Sequence, residues 1–326
     1  MRAFVCPALT DDLSGPGLAD VPTPEPAPGE VRVRVRAASV NFPDILMCQG
    51  RYQFRPDPPF IPGIDVAGEI EALGAGVAGW TIGAPVVGGA RLGGFAEQAC
   101  LPAAGLQLKP DNLSWAQTAA YPAAYLTAYV ALVRRANLQA GETLLVHGAS
   151  GGVGLAAVDL GKHLGARVIA TGGDDAKLDK VRACGADHVI NTAGGFREQV
   201  KALTQGRGAD VIFDPVGGDV FDESTRCIAF DGRLLVIGFT SGRIATLPTN
   251  IALIKGFSLM GVRAGEFGRQ FPGKGAENLT AVRALATSGA IQPRVHAELP
   301  LSETRGALQL LIDRKVVGKV IVRPDL

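Results

Sequence analysis

Tryptophan and tyrosine are scarce in this chain, with two and four copies among 326 residues. A surface for single-stranded nucleic acid uses rows of exposed aromatic rings, so this scarcity argues against one. An excess of charge of one sign is also missing, since 32 lysines and arginines face 31 aspartates and glutamates. That balance calls for neither nucleic acid nor an anionic membrane as partner. No run approaches the roughly 18 uninterrupted apolar residues of a membrane span. Met1–Pro7 is too short in apolar residues to read as a signal peptide. The five cysteines (Cys6, Cys48, Cys100, Cys184, Cys227) are scattered, odd in number, and form no Cys-x-x-Cys pair or metal-ligand cluster. They predict free thiols in a reducing, cytoplasmic setting, each a small buried apolar residue.

Glycine is what the chain has in plenty: 43 copies with no Gly-x-y period, nearly double the usual share of ~7%. The excess predicts many tight turns. A length of 326 residues exceeds what one hydrophobic core usually serves, so two domains are expected.

The most informative glycines lie in Leu144-Leu145-Val146-His147-Gly148-Ala149-Ser150-Gly151-Gly152-Val153-Gly154. Leu144–Val146 reads as a buried strand, the glycines as a tight turn, and the stretch to Leu164 as a helix. A strand feeding a glycine turn at a helix N-terminus presents unpaired N–H groups and a positive dipole end, which suits a pyrophosphate. In the G-x-G-x-x-G register Ala149 stands where the first glycine belongs, and such a turn can also be a mere close packing point. The next strand candidate, Ala166–Thr171, completes a βαβ unit of about the expected 30 residues and weighs toward a dinucleotide site.

Residues 1–120 read as β-rich. Val31–Arg36 alternates strictly, predicting a half-buried strand with a valine face inward and an arginine face in solvent. Further strands are expected at 65–72 and 84–87, in a barrel-like domain. Ser114–Ala136 reads as helix broken or kinked at Pro122. From 143 onward strands at 143–147, 167–171, 188–191, 210–214 and 233–237 alternate with helices at 152–164, 174–184, 196–205 and 218–228. That regularity predicts a parallel, doubly wound sheet. Helices near 279–287 and 302–313 precede a terminal strand at 318–322. The simplest α/β architecture inserts the doubly wound domain into a β-domain made from both chain ends, with the active site expected in the cleft between them.

The order of these parts resembles the medium-chain dehydrogenase/reductase superfamily, and within it the zinc-free NADPH:quinone oxidoreductase branch that includes zeta-crystallin. The resemblance rests on Ala38-Ser39-Val40-Asn41-Phe42-Pro43-Asp44, Gly50-Arg51-Tyr52, Pro62-Gly63-Ile64-Asp65-Val66-Ala67-Gly68, the glycine turn, Asp214-Pro215-Val216-Gly217-Gly218 and Gly318-Lys319. It implies a GroES-like β-barrel catalytic domain at 1–121 and 262–326 and a Rossmann domain at 122–261. Zinc enzymes of the superfamily carry cysteine near Asn41 and His-Glu at Ile64-Asp65. Isoleucine cannot ligate a metal and a catalytic zinc needs three protein ligands, so no metal is expected. The histidines, His147, His163, His188 and His296, read as ordinary strand or helix positions.

By this resemblance a reduced nicotinamide would give hydride to a quinone or an α,β-unsaturated carbonyl. Asn41 and Tyr52 would be the catalytic pair, an amide and a phenol able to donate to a carbonyl oxygen gaining charge. Asn41 as a turn cap and Tyr52 as a half-buried aromatic are the structural alternatives. Asp44 reads as a cap of the following short helix. The cofactor would contact Ser150, Gly151, Gly152, Val153 and Gly154 at its pyrophosphate and Thr127 near the nicotinamide amide. Val216, Phe239 and Thr240 would face its adenosine or nicotinamide side, and Gly318 and Lys319 its nicotinamide ribose. Thr171-Gly172-Gly173 lacks the acidic residue that grips a ribose 2′-hydroxyl, and Lys177 matches a family lysine for the 2′-phosphate. NADPH is therefore expected, with NADH possible. Two departures are Thr192 in place of a tyrosine, and Asp174, which would repel the phosphate unless it caps the helix.

Two other functions stay open: an enoyl-thioester or enone reductase, and a cofactor-binding structural or RNA-binding protein. Lys255–Val262 matches the family's last Rossmann strand and implies a homodimer through residues 256–262. An ordinary covered edge strand is the alternative.

Overall fold

In the computed structural model, which describes residues 1–326, the alternating run lies within the strand Glu30–Ser39. Val31, Val33 and Val35 are buried there. The arginines on the other face meet carboxylates of the neighbouring strand, Arg34 at 2.6 Å from Glu71 and Arg36 at 2.8 Å from Glu69. The arginine row is a paired surface.

This strand centres the first of two units, Met1–Pro122 with Pro293–Leu326. Its seven-stranded sheet runs in the order Val295–Pro300, Lys319–Arg323, Glu30–Ser39, Asp65–Leu73, Pro85–Gly89, Gln107–Leu108, and Gln98–Pro102 also pairs with Glu30–Ser39. The C-terminal strand joins by pairing Ile321 with Ser39 and Val322 with Ala38. That pairing brings Lys319 to the end of Glu30–Ser39, where the chain turns into Asn41.

The second unit, Ala123–Gln292, holds a six-stranded parallel sheet. Its strands are Thr143–Val146, Arg167–Gly172, His188–Asn191, Ala209–Asp214, Ile228–Val236 and Ser258–Gly261. In sequence order they lie third, second, first, fourth, fifth and sixth across the sheet, the Rossmann order that places a nucleotide where the strand order reverses. Apolar residues fill the central strands Thr143–Val146, Arg167–Gly172 and Ala209–Asp214 almost without interruption, as burial on both faces requires.

The expected boundary at 261/262 gives way to one at 292/293. Helices Ala264–Gln270 and Pro272–Thr287, the first of them unforeseen, stay with the second unit. Arg134 ties the second of these to it, with Nε donating to Asn278 at 2.7 Å and Nη2 to Glu277 at 2.7 Å. The stretch 114–136 is three pieces: Trp115–Ala120 opened by a Ser114 and Gln117 capping box, Pro122–Tyr129, and a wider π-helical turn at Val130–Arg135. Pro122 cannot continue the first helix and starts the second. The expected 255–262 strand runs over Ser258–Gly261, behind a helix, Thr249–Lys255, that takes its first residue and ends at Gly256 in a left-handed conformation. No helix is long and apolar enough to cross a membrane.

Candidate active site

Gly148 leaves the first parallel strand with φ of +54° and starts the glycine turn. Gly151 stands extended at the N-cap of helix Gly152–His163, with no side chain capping it. The N–H groups of Gly152, Val153 and Gly154 thus have no acceptor within the helix. A side chain at Gly154 would collide with the carbonyl of Gly148, so glycine alone lets helix and turn approach this closely. Ala149 does not need glycine's freedom, because the left-handed residue is Gly148. Ala149 is buried and its N–H donates to Thr171 O at 3.1 Å.

The turns after the second, third, fourth and fifth strands of the same unit carry the other expected contacts. After the second strand, Asp174 caps helix Asp175–Ala183 by accepting from Lys177 N at 2.9 Å. The carboxylate is thereby turned onto the helix end. Thr192 donates to Gly172 O at 3.3 Å beside Gly173, and the Lys177 side chain is half-buried. After the fourth strand, buried Asp214 accepts from the N–H groups of Val216 at 2.8 Å and Gly217 at 2.9 Å. Burial pushes its carboxyl above the usual range despite those two donors. Thr240 donates through N and Oγ1 to Pro215 O, both at 3.1 Å. That bond fixes Phe239, which is exposed, and Thr240 beside Val216. Thr127 spends its hydroxyl proton on Ala123 O at 2.7 Å and keeps its oxygen as an acceptor.

In the first unit a buried polar cluster forms around Asn41. Its Nδ2 donates to Ser39 O and to Asp65 Oδ2, each at 3.0 Å, and its Oδ1 accepts from Lys319 Nζ at 2.6 Å. Both amide protons are committed inside the protein. Lys319 also donates to Val40 O at 2.9 Å, so its ammonium is held by the strand end and the amide. Burial pulls its pKa down, and Asp65 and Asp44 pull it back up. Asp44 lies in helix Phe42–Cys48 and accepts from the N–H groups of Asn41 at 2.8 Å and Gly63 at 3.1 Å. Its burial, with the nearby Asp65 charge, pushes its carboxyl to about 7.

Gly318, with φ of +92°, lies against the Arg294 carbonyl, which any side chain would strike. Lys319 N donates to the same carbonyl at 2.9 Å, and this close approach sets the lysine into its strand. Tyr52 is half-buried against the apolar core of this unit, its N–H on Leu46 O at 3.2 Å.

The first unit thus gathers Asn41, Gly318 and Lys319. The second gathers the glycine turn, Gly173, Lys177, Thr192, Val216, Phe239 and Thr240. Sequence reasoning missed Asp65 as a partner of Asn41 and gave Asp44 only a capping role. Their one signal was the spacing of two carboxylates around an asparagine and a Pro-Gly turn.

Residues 152–280 match the family model described as zinc-binding dehydrogenase, and residues 27–111 match the alcohol dehydrogenase GroES-like domain. A quinone oxidoreductase-like protein 2 homolog of Nematostella vectensis is 39% identical over 290 residues, 88% of this chain and 79% of that protein. The crystal structure of Escherichia coli quinone oxidoreductase complexed with NADPH has a TM-score of 0.91 and 27% identity, covering 99% of this chain and 100% of that one. A mycocerosic acid synthase-like polyketide synthase of Mycobacterium tuberculosis is 31% identical over 291 residues, 88% of this chain and 14% of that protein.

The donor set at Asn41 and Ile64-Asp65 does not fit a catalytic zinc. Ile64 offers no ligand atom and the Asn41 oxygen is held by the Lys319 ammonium.

Proposed function

As this chain belongs to the quinone oxidoreductase group of the medium-chain dehydrogenase/reductase superfamily and is an oxidoreductase, we propose that it reduces a quinone with NADPH, without a metal ion. The observation that carries this reading is the uncapped first turn of helix Gly152–His163 behind Gly148. Its N–H groups and dipole are built for a pyrophosphate. NADPH, when bound, supplies the hydride.

Ser150, Gly151, Gly152, Val153 and Gly154 hold the pyrophosphate, and Thr127 accepts from the carboxamide. Lys177 takes the 2′-phosphate beside Gly173 and Thr192, the adjacent Asp174 carboxylate is turned onto the end of its own helix, and NADH is the weaker cofactor. Val216, Phe239 and Thr240 bound the remaining face. At the substrate, the Tyr52 hydroxyl donates to the carbonyl oxygen as it gains charge. Asn41 acts through Lys319: with both its amide protons spent, it orients the ammonium through its Oδ1, beside Asp65. Gly318 serves by placing Lys319.

A second reading, reduction of an enoyl thioester, is favoured by the polyketide synthase relative. A substrate panel of 1,2- and 1,4-quinones, an alkenal and crotonyl-CoA with NADPH separates the two. Quinone turnover supports the first reading, and turnover of the thioester alone replaces it.

The edge strand Ser258–Gly261 carries exposed Leu259, with exposed Leu253, Ile254 and Phe230 on the adjoining elements. This apolar edge supports a homodimer through residues 256–262. Light scattering should give twice the chain mass, and a monomer at micromolar concentration would remove the assignment.

A further inference from the structure

His147 is fully buried just past the end of the first parallel strand, against Phe196 of this unit's apolar core. Its ring packs on Phe196 with centroids 4.7 Å apart. In these apolar surroundings both ring nitrogens are nevertheless bonded, Nδ1 to Thr171 Oγ1 at 2.7 Å and Nε2 to Ser224 Oγ at 2.8 Å. Ser224 spends its only hydroxyl proton on Val220 O at 2.6 Å, so it must accept from Nε2–H. That fixes the tautomer: the proton sits on Nε2, and Nδ1 accepts from the Thr171 hydroxyl.

An apolar side chain would fill this space without the cost of burying two polar atoms. The ring's added contribution is direction. It bonds the end of strand Arg167–Gly172, which leads into Gly173 and Lys177, and the end of helix Gly218–Ser224, which begins behind Gly217. Its own backbone N–H donates to Phe213 O at 3.0 Å, and Ala149 N reaches Thr171 O at 3.1 Å. Three turns thus lead away from one neutral imidazole: 148–154, 172–177 and 215–218.

We propose that His147 is a positioning residue of the dinucleotide site, setting the turn that carries Lys177 relative to the glycine turn through its bond to Thr171. This rests on the cofactor reading above. The test measures dissociation constants of NADPH and NADH by fluorescence, well below each variant's unfolding temperature. Asparagine places its amide near the Nδ1 position and keeps the Thr171 link, whereas glutamine reaches the Nε2 position and keeps only the Ser224 link. His147→Gln and His147→Leu should weaken NADPH about tenfold, the loss of one well-placed hydrogen bond, and shrink the preference over NADH. His147→Asn should stay close to wild type. Thr171→Val removes the same link from the other side and should match His147→Gln, which keeps the test usable if a ring variant folds poorly. Lower melting temperatures with unchanged constants and unchanged preference would overturn the proposal and leave the cofactor reading standing. A wild-type protein that binds neither dinucleotide would overturn both.

Discussion

Acid should destabilise this protein through His147, by an amount the buried ring itself sets. Burial pushes its pKa from 6.5 down to about 3. Its Nδ1 already accepts from Thr171, so a second ring proton would have to displace that bond. The unfolded chain takes up a proton near pH 6.5, while the folded chain refuses it until about pH 3. The contribution is therefore fully present above pH 6.5 and is lost as pH falls toward 3, at about 1.4 kcal/mol per unit. At pH 4.5 the loss is about 3 kcal/mol, a large share of the roughly 5–15 kcal/mol that holds a typical protein folded. Asp44 works in the opposite sense. Its folded pKa is raised from 3.8 to about 7, so its contribution is greatest below pH 3.8 and is lost as pH rises through 7. The two slopes oppose each other across the same window, and the wild-type profile alone would mislead. The assay is urea unfolding of wild type and His147→Gln at pH 7.0 and 4.5. The stability gap should narrow by about 3 kcal/mol on acidification, since Asp44 is common to both proteins. A constant gap would refute the buried neutral imidazole.

The same logic with reversed sign applies to Asp44→Asn: between pH 7 and 5 wild type should gain about 2 kcal/mol relative to the variant on acidification, as read by the same urea curves. Lys177→Ala should raise KM for NADPH about tenfold and leave KM for NADH unchanged, since a partly exposed charged contact is worth about 1.4 kcal/mol. Equal effects on both cofactors would remove the 2′-phosphate assignment. Gly154→Ala drives a methyl group against the Gly148 carbonyl and should cost about 1–3 kcal/mol of stability, with dinucleotide affinity lost in a titration at low temperature.

Local pattern was enough for the parts of the fold that repeat. The valine alternation, the glycine turn and the strand–helix succession through 236 each lie within a few residues of where periodicity puts them. Pro122 was legible as a break because a missing N–H is a local fact. Helices Thr249–Lys255 and Ala264–Gln270 were not, because neither presents a regular apolar stripe and the second packs beside another helix of its own unit. The candidate site divides in the same way. Asn41 and Lys319 were readable one at a time, but their hydrogen bond spans 278 positions of sequence, and no spacing rule links residues so far apart. His147 looked like an ordinary strand residue for the same reason: Thr171 and Ser224 lie 24 and 77 positions away. The roles of such groups follow from which polar atoms the fold closes together.

The proposed chemistry is hydride transfer from a nicotinamide to a quinone without a metal. The most direct measurement is the rate of quinone-dependent NADPH oxidation by chelator-treated protein, with the transferable hydrogen of the cofactor replaced by deuterium on each face in turn. The rate should be indifferent to chelation, with a primary isotope effect from one face only. A rate abolished by the chelator and restored by zinc would contradict this chemistry.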